Sequence, residues 1–343
     1  MTVRHRTAVT ARMVAEEAGV SPATVSKVMN GRPGVAPATR EWVEHVLRRH
    51  HERRRPRPRT ALVVDLALNV LDSLWSLEVV RGAEEVLSPT GASMAVTALH
   101  ADTDRTAAWL DRLTRRPCDG VILVMSEPSP RQRLRLVSAG VPMVIMDPAG
   151  GAGTGLHTVA AANWSGAEAA TEHLLGLGHR RIAHLAGPAD VPCGRARADG
   201  YRSAIRRAGL RVPGDWVIHG GFDRPSGHDG ALALFDTALR SGHAAPTAVF
   251  AASDHQALGA LTALRSRGLR VPQDISVIGF DDLPLAAFTD PPLTTVRQPV
   301  ADMAGFAARV LLRLIDGDPV HPPRTELPTR LIIRESTAPP SSG

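Results

Sequence analysis

Aspartates stand at the ends of several apolar runs in this chain. Asp147 follows PMVIM, Ser253 and Asp254 follow TAVFAA, and Asp281 and Asp282 follow ISVIGF. Open α/β sheets bind small ligands at the carboxyl edges of their strands. Carboxylates at such an edge, joined by an arginine, suit bidentate hydrogen bonding to vicinal hydroxyls. An aromatic face beside them suits the C–H side of a sugar ring. A plainer reading competes for each residue, because a strand-end Asp or Ser also caps the helix that follows. For Asp254 both readings stay open.

A second set of chemically able residues lies near the start of the chain. Ala23, Thr24, Ser26, Lys27 and Asn30 are small or polar and point outward from a short helical pattern. Short hydroxyl and amide side chains let a helix approach a duplex closely and bond its phosphates, while its first residues meet base edges. Lys27, the only lysine in the chain, is placed to reach a guanine.

The elements needed to hold this face are legible. Thr10 caps a first helix over Ala11 to Ala18, and Gly19 ends it where a left-handed residue is required. Val20 plugs the turn, Ser21 caps the second helix, and Pro22 takes its first position. Val14, Ala15, Ala18, Val25, Val28 and Met29 form the apolar face. A third helix spans Pro37 to His50, weakly capped by Ala36. Residues 1–60 hold 13 Lys+Arg against 5 Asp+Glu, whereas the remainder holds 27 against 29. The net charge of +6 is therefore an N-terminal property, as a phosphate-binding head requires.

The rest of the 343 residues is long enough for more than one domain, and the chain is 43% hydrophobic. ALVVDL (61–66), MAVTAL (94–99), DGVILVM (119–125) and PMVIMD (142–147) read as buried parallel strands. RRIAHLAG (180–187), WVIHGG (216–221), TAVFAA (247–252) and ISVIGF (275–280) do the same. Amphipathic stretches such as Leu77–Leu87, Ala167–Leu177, Gly200–Ala208 and Gln256–Arg267 lie between them. This alternation predicts parallel sheets wrapped by helices, in two similar lobes of four strands.

The run VAEEAGVSPATVSKVMNGRPGVAPATR resembles the DNA-binding head of the lactose-repressor (LacI/GalR) family. The resemblance continues through LGHRRIAHLAGP, ARADGYRSAIRRAGL, PTAVFAASDHQALGALTALRSRGLRVPQDISVIGFDDLPLAAF, PPLTTVRQP and RLIIRESTAPP, nearly the full length. It implies an all-α helix-turn-helix head and an α/β periplasmic-binding-protein-like body of two parallel-sheet lobes. It places Pro22, Ala23 and Lys27 at base-reading positions, and Ser21, Thr24, Ser26 and Asn30 at backbone-contacting or helix-positioning ones. Arg197 and Asp281 fall at effector hydrogen-bonding positions, and Trp75 and Phe222 at aromatic positions lining the pocket. Ser253 stands where many members have asparagine, which implies one shortened or water-mediated contact. Trp42, Trp109 and Trp216 are assigned to packing.

The resemblance also divides the chain. Residues 1–49 form the head, 50–60 an Arg/Pro-rich linker and 61–343 the effector-binding body. One lobe takes about 61–160 and 297–326, the other about 161–296 and 327–343, with PPLTTVRQP as a crossing strand and Phe306 to Ile315 as a returning helix. The linker departs from the family, whose members carry a short hinge helix with a wedging leucine. No leucine lies between Leu47 and Leu62, and Pro56 and Pro58 forbid a regular helix. Five arginines, Arg55 and Arg57 among them, alternate with proline. Two readings stay open: an extended arm in an A·T-rich minor groove, or a solvated basic linker that adds only counterion release.

Other signals exclude function classes. Gly150 to Gly155 lacks the Walker lysine and dinucleotide spacing, so it reads as a loop. His45, His50 and His51 have no partners at zinc spacing, and no metal or cofactor is expected. No G-x-S-x-G or other nucleophile motif occurs, so no catalytic residues are assigned. Cys118 and Cys193 are the only cysteines, which fits a reducing compartment. Without a signal peptide or long apolar run, a cytoplasmic protein with no membrane partner is expected. The leading expectation is a homodimeric repressor that reads a palindromic operator and answers to a small effector, a sugar by family. A sugar-binding protein without DNA function, and a sugar-modifying enzyme on the same scaffold, are the rivals.

Overall fold

The computed structural model describes residues 11–29, 32, 34–52, 62–69, 71, 73–100, 102–115, 118–124, 136, 140–148, 156–241 and 244–341. Thr10, Asn30, Arg55, Arg57, most of the linker and the Gly150 to Gly155 loop lie outside these residues.

The head has three helices: α1 (Ala11–Ala18), α2 (Pro22–Met29) and α3 (Pro37–Glu52). Gly19 follows α1 with φ +67°, the left-handed conformation that lets the chain reverse at no steric cost. The Val20 N–H then closes on the Ala15 carbonyl at 3.0 Å. Ser21 Oγ accepts the Thr24 N–H at 3.0 Å, satisfying one orphan donor of α2, a cap worth about 1 kcal/mol. Val14, Ala15, Ala18, Val25, Val28, Val43, Val46 and Leu47 share one small core. Trp42 corrects a sequence expectation. It is 47% exposed rather than packed. Its indole N–H donates to the Ala18 carbonyl at 3.2 Å, so it closes the end of α1 with its polar edge.

The body begins with β1 (Val63–Leu68), α4 (Leu74–Leu87), β2 (Ser93–Ala98), α5 (Thr103–Arg115), β3 (Gly120–Val124), β4 (Met143–Met146) and β5 (His157–Ala161). It continues with α6 (Asn163–Gly176), β6 (Ile182–Ala186), α7 (Pro192–Arg207), β7 (Val217–His219), α8 (Arg224–Ser241), β8 (Ala248–Ala251), α9 (Asp254–Ser266) and β9 (Ser276–Asp281). It ends with β10 (Thr294–Arg297), α10 (Val300–Asp316), β11 (Arg324–Leu327) and β12 (Arg330–Ile332).

These strands form two six-stranded sheets, ordered β11-β5-β4-β3-β1-β2 and β12-β10-β9-β8-β6-β7. The pairings are parallel except β10 with β12. Each sheet is covered on both faces, which explains why β3, β4, β6 and β8 are buried throughout and read as unbroken apolar runs. The expected four strands per lobe become six. β10 lies within PPLTTVRQP, the expected crossing strand, whereas β5 carries His157 and Thr158, and β11 and β12 are three or four residues long, too short to show a period. Trp109 and Trp216 are buried, as an assignment to packing requires.

The chain passes between the sheets three times. It leaves the first sheet after β5, returns between β10 and α10, and crosses again between β11 and β12. Helix α10 seats Met303, Ala304, Ala307, Ala308 and Leu311 in the core formed by Val64, Leu66, Ile122 and Val144 of the first sheet. Leu283, which follows β9 of the second sheet, is buried in that same first-lobe core. Helices pack in pairs by backbone contact. A Cβ built on Gly259 would collide with the Arg224 carbonyl, one on Gly227 with Gln256, one on Gly82 with Ala301 and one on Gly200 with Trp164. Among the described residues no helix is long and apolar enough to cross a membrane.

Candidate functional site

A cavity of about 570 Å³ opens between the lobes at the carboxyl ends of the strands. That is the usual volume and place for a small-molecule site in this architecture. Leu68, Trp75 and Val124 of the first lobe and Cys193, Phe222 and Asp281 of the second line it. Strand ends and helix starts deliver these side chains. Trp75 sits in the first turn of α4, whose N-cap Ser73 accepts the Ser76 N–H at 3.2 Å. Asp147 follows β4 with φ +48°, Asp281 ends β9 with φ +117°, and Asp282 has φ +55°. Aspartate tolerates a left-handed backbone better than most residues, yet strain of this kind costs about 1–3 kcal/mol per residue and clusters at functional sites.

Arg197 is the organising side chain. It projects from α7 and is almost fully buried. Its Nε donates to Asn163 Oδ1 at 2.9 Å, and its Nη1 donates to the Ala252 carbonyl. Nη1 also approaches Asp281 Oδ1 at 3.5 Å. The Phe280 ring lies 3.9 Å from the guanidinium carbon and the Phe222 ring 5.3 Å, so the cation is stacked as well as hydrogen-bonded. A buried guanidinium needs this many partners to offset its lost hydration.

The carboxylates around it carry the marks of burial. Desolvation pushes the Asp147 carboxyl up, against the pull of Arg197, Asn163 and Cys193. Asp281 is also pushed up by burial, against Arg197 and Gln298. Burial likewise holds the Cys193 thiol protonated. Perturbed groups gathered in a cleft are what a binding site produces.

Two sequence candidates lie off the cavity wall. Ser253 caps α9: its hydroxyl accepts the Gln256 N–H at 3.0 Å and donates to the Phe222 carbonyl at 2.9 Å. Asp254 is fully buried, with Oδ2 accepting the Leu283 N–H at 2.7 Å and Oδ1 accepting the Thr295 hydroxyl at 2.5 Å. Both carry structural hydrogen bonds behind the wall, so the helix-capping and positioning reading holds for them. The wall instead includes residues the sequence reading did not single out. Gln298 donates from Nε2 to Asp281 Oδ1 at 2.5 Å, and Asn69, Ser73, Ser76, Asp223, Arg224 and His255 complete the lining.

On the head, Ser21, Pro22, Ala23, Ser26 and Lys27 are exposed along one face of α2. Thr24 is half-buried, and its hydroxyl bonds that of Ser21 at 2.9 Å. The backbone leaving α2 is pinned by two contacts. Arg32 N–H donates to the Lys27 carbonyl at 2.9 Å, and Arg40 Nη2 donates to the Arg32 carbonyl at 2.8 Å.

Comparison with known proteins agrees at each level. A family profile described as "Bacterial regulatory proteins, lacI family" matches residues 12–51, and "Periplasmic binding protein-like domain" matches residues 171–337. The chain is 34% identical to the ribose operon repressor of Escherichia coli (strain K12), over 95% of this chain and 99% of that one. It is 36% identical to the HTH-type transcriptional regulator CelR of Thermobifida fusca, over 95% of this chain and 98% of that one. A solved CelR–cellobiose complex superposes with a TM-score of 0.75 at 34% identity, covering 95% of this chain and 99% of that one. The lac repressor dimer bound to operator and the anti-inducer ONPF gives 0.70 at 27% identity, covering 96% and 99%. With both the head and the two-lobed body matched at this depth, the chain belongs to the lacI family of bacterial regulatory proteins, the ligand-responsive DNA-binding regulators of transcription.

Proposed function

We propose that this regulator is a cytoplasmic repressor that reads a palindromic operator as a homodimer, with its operator affinity set by a carbohydrate held between the lobes. One observation carries the effector reading. The interlobe cavity brings buried Asp147, Arg197 and Asp281 together with Trp75 and Phe222. Carboxylates and a guanidinium take up hydroxyls in pairs, and aromatic rings cover the apolar face of a sugar. The volume of about 570 Å³ has room for one or two sugar rings. Relatives point the same way: one is a ribose operon repressor and another was solved with cellobiose.

On the DNA side, Lys27 makes the main direct base contact and Ala23 offers an apolar one to a thymine methyl. Ser21, Thr24 and Ser26, with Thr10 and Asn30, position the helix on the backbone. Arg55 and Arg57 follow a minor groove without wedging it open. Binding without turnover is our reading of the cleft, since Asp281 is engaged by Arg197 and Gln298, and burial holds the Cys193 thiol beside Asp147 protonated.

The test combines two measurements on the full chain. Thermal shift against a carbohydrate and nucleobase panel identifies the effector, and a gel shift on palindromic promoter fragments is run with and without it. A sugar that stabilises the protein and changes operator occupancy supports the reading. No preference for any promoter fragment over random duplex would end it.

A further inference from the structure

We propose that the cleft selects an uncharged sugar and rejects the phosphorylated or carboxylated form of the same sugar. This deepens the carbohydrate reading and rests on it. The buried wall presents acceptors. Asp147 and Asp281 contribute carboxylates, and the side-chain oxygen of Gln298 is buried with no hydrogen-bond partner among the described residues. A sugar hydroxyl can donate to all three, whereas a phosphate or carboxylate at neutral pH brings mainly further acceptors. Such a group would leave these acceptors unmet and add a charge where charge is already crowded.

The charge balance points the same way. On the wall the Asp147 charge makes ionising Asp281 harder, and behind the wall Asp281 does the same to Asp254. Asp147 and Asp281 share one guanidinium. That guanidinium is largely committed: its faces are covered by Phe280 and Phe222, its Nε is on Asn163, and its Nη1 is shared between Ala252 and Asp281. The remaining lining groups do not reverse the balance. At the rim the exposed cation Arg224 adjoins Asp223 in sequence. The positive end of α8, where an anion would otherwise settle, is capped by Asp223 itself, which accepts the Ser226 N–H at 2.8 Å. The first turn of α4 is capped by the neutral hydroxyl of Ser73. His255 and the Cys193 thiol, which burial holds protonated, are the remaining titratable groups on the wall.

The experiment is isothermal titration of the full chain with matched pairs: ribose and ribose 5-phosphate, glucose and glucose 6-phosphate, cellobiose and cellobionate. The expected result is that whichever sugar binds does so about 100-fold more tightly than its anionic partner. An anionic partner that binds as well as its parent overturns this proposal and leaves the carbohydrate reading standing. If no member of any pair binds, in either charge state, the carbohydrate reading falls and this inference with it. Asp147→Asn supplies a second readout, expected to narrow the gap between parent and anion about tenfold. A gap of unchanged size in a folded Asp147→Asn protein would mean that charge is not the cause.

Discussion

Asp254 of the second lobe holds the backbone N–H of Leu283 at 2.7 Å, and the side chain of Leu283 is buried in the core of the first lobe. A single carboxylate thus fixes the segment through which one lobe plugs into the other. Removing it strands a buried N–H and the Thr295 hydroxyl together. Asp254→Ala should lower stability by about 2–4 kcal/mol, read by denaturant unfolding. Asp254→Asn, which keeps an acceptor, should lose less than half of that. Equal losses would show that charge rather than hydrogen bonding holds the turn.

The cleft itself is tested through Asp281. Asp281→Asn preserves shape and keeps one acceptor oxygen for Gln298 while removing the charge that faces Arg197. Effector affinity should fall at least about 100-fold while operator affinity stays within about threefold. Arg197→Ala should abolish the response too, with added instability from the carboxylates left unpaired. A normal effector response in either variant would move the site elsewhere.

Lys27→Ala separates base reading from phosphate contact. Loss of a base-edge contact should cost about 1–3 kcal/mol on the operator and much less on random duplex. Equal losses on both would assign Lys27 to the backbone. The arginine arm is read from the same titrations. Arg55→Ala with Arg57→Ala should reduce the salt slope by about two. A strong central bend in the wild-type complex would contradict an arm that follows the groove without wedging.

Trp75 gives a direct optical report. It lies on the cavity wall in the first turn of α4, so a sugar against it should change its emission. The change should vanish in Trp75→Phe, leaving the signal of the other four tryptophans. An identical change in both proteins would remove Trp75 from the site.

Acidity should act on binding and on stability in opposite directions. Burial raises Asp281 from its ordinary value of 3.8 to about 6. Its folded form therefore holds a proton that the unfolded chain releases, so the group's contribution favours folding at low pH and is lost as pH rises through about 6. A sugar that donates to the ionised carboxylate is favoured above that point. Effector affinity should drop as pH falls from 7 to 5, and over the same range the stability of the wild type relative to Asp281→Asn should rise, which isolates this group from the buried histidines that oppose it. Titrations across this range check the first and thermal melts the second; affinity that rises on acidification would reverse the assigned proton.

Much of the body is legible in the sequence because parallel strands buried on both faces leave unbroken apolar runs. Asp147 and Asp281 stand out at the ends of such runs, and Arg197 and Trp75 through resemblance. Ser253 and Asp254 mislead for a geometric reason. A strand-end residue points either into the cleft or back under the sheet, and its type is the same in both cases. Gln298 and Asn163 carry no signal of their own. They sit where the chain changes sheets, so they meet Asp281 and Arg197 only once both lobes are built. Trp42 shows the limit of composition, since a large aromatic can serve through its indole N–H with nearly half its surface in water.

The glycines at positions 82, 200, 227 and 259 bring paired helices together main chain to main chain, with no intervening side chains to slide or compress. Each half of the body is thereby stiff, like a block with its layers keyed together. Mechanical compliance is left to the three short spans that tie the blocks, at 162, 298–299 and 328–329. On the proposed reading, a solute held between the blocks would act as torque on those spans, one of which carries Gln298.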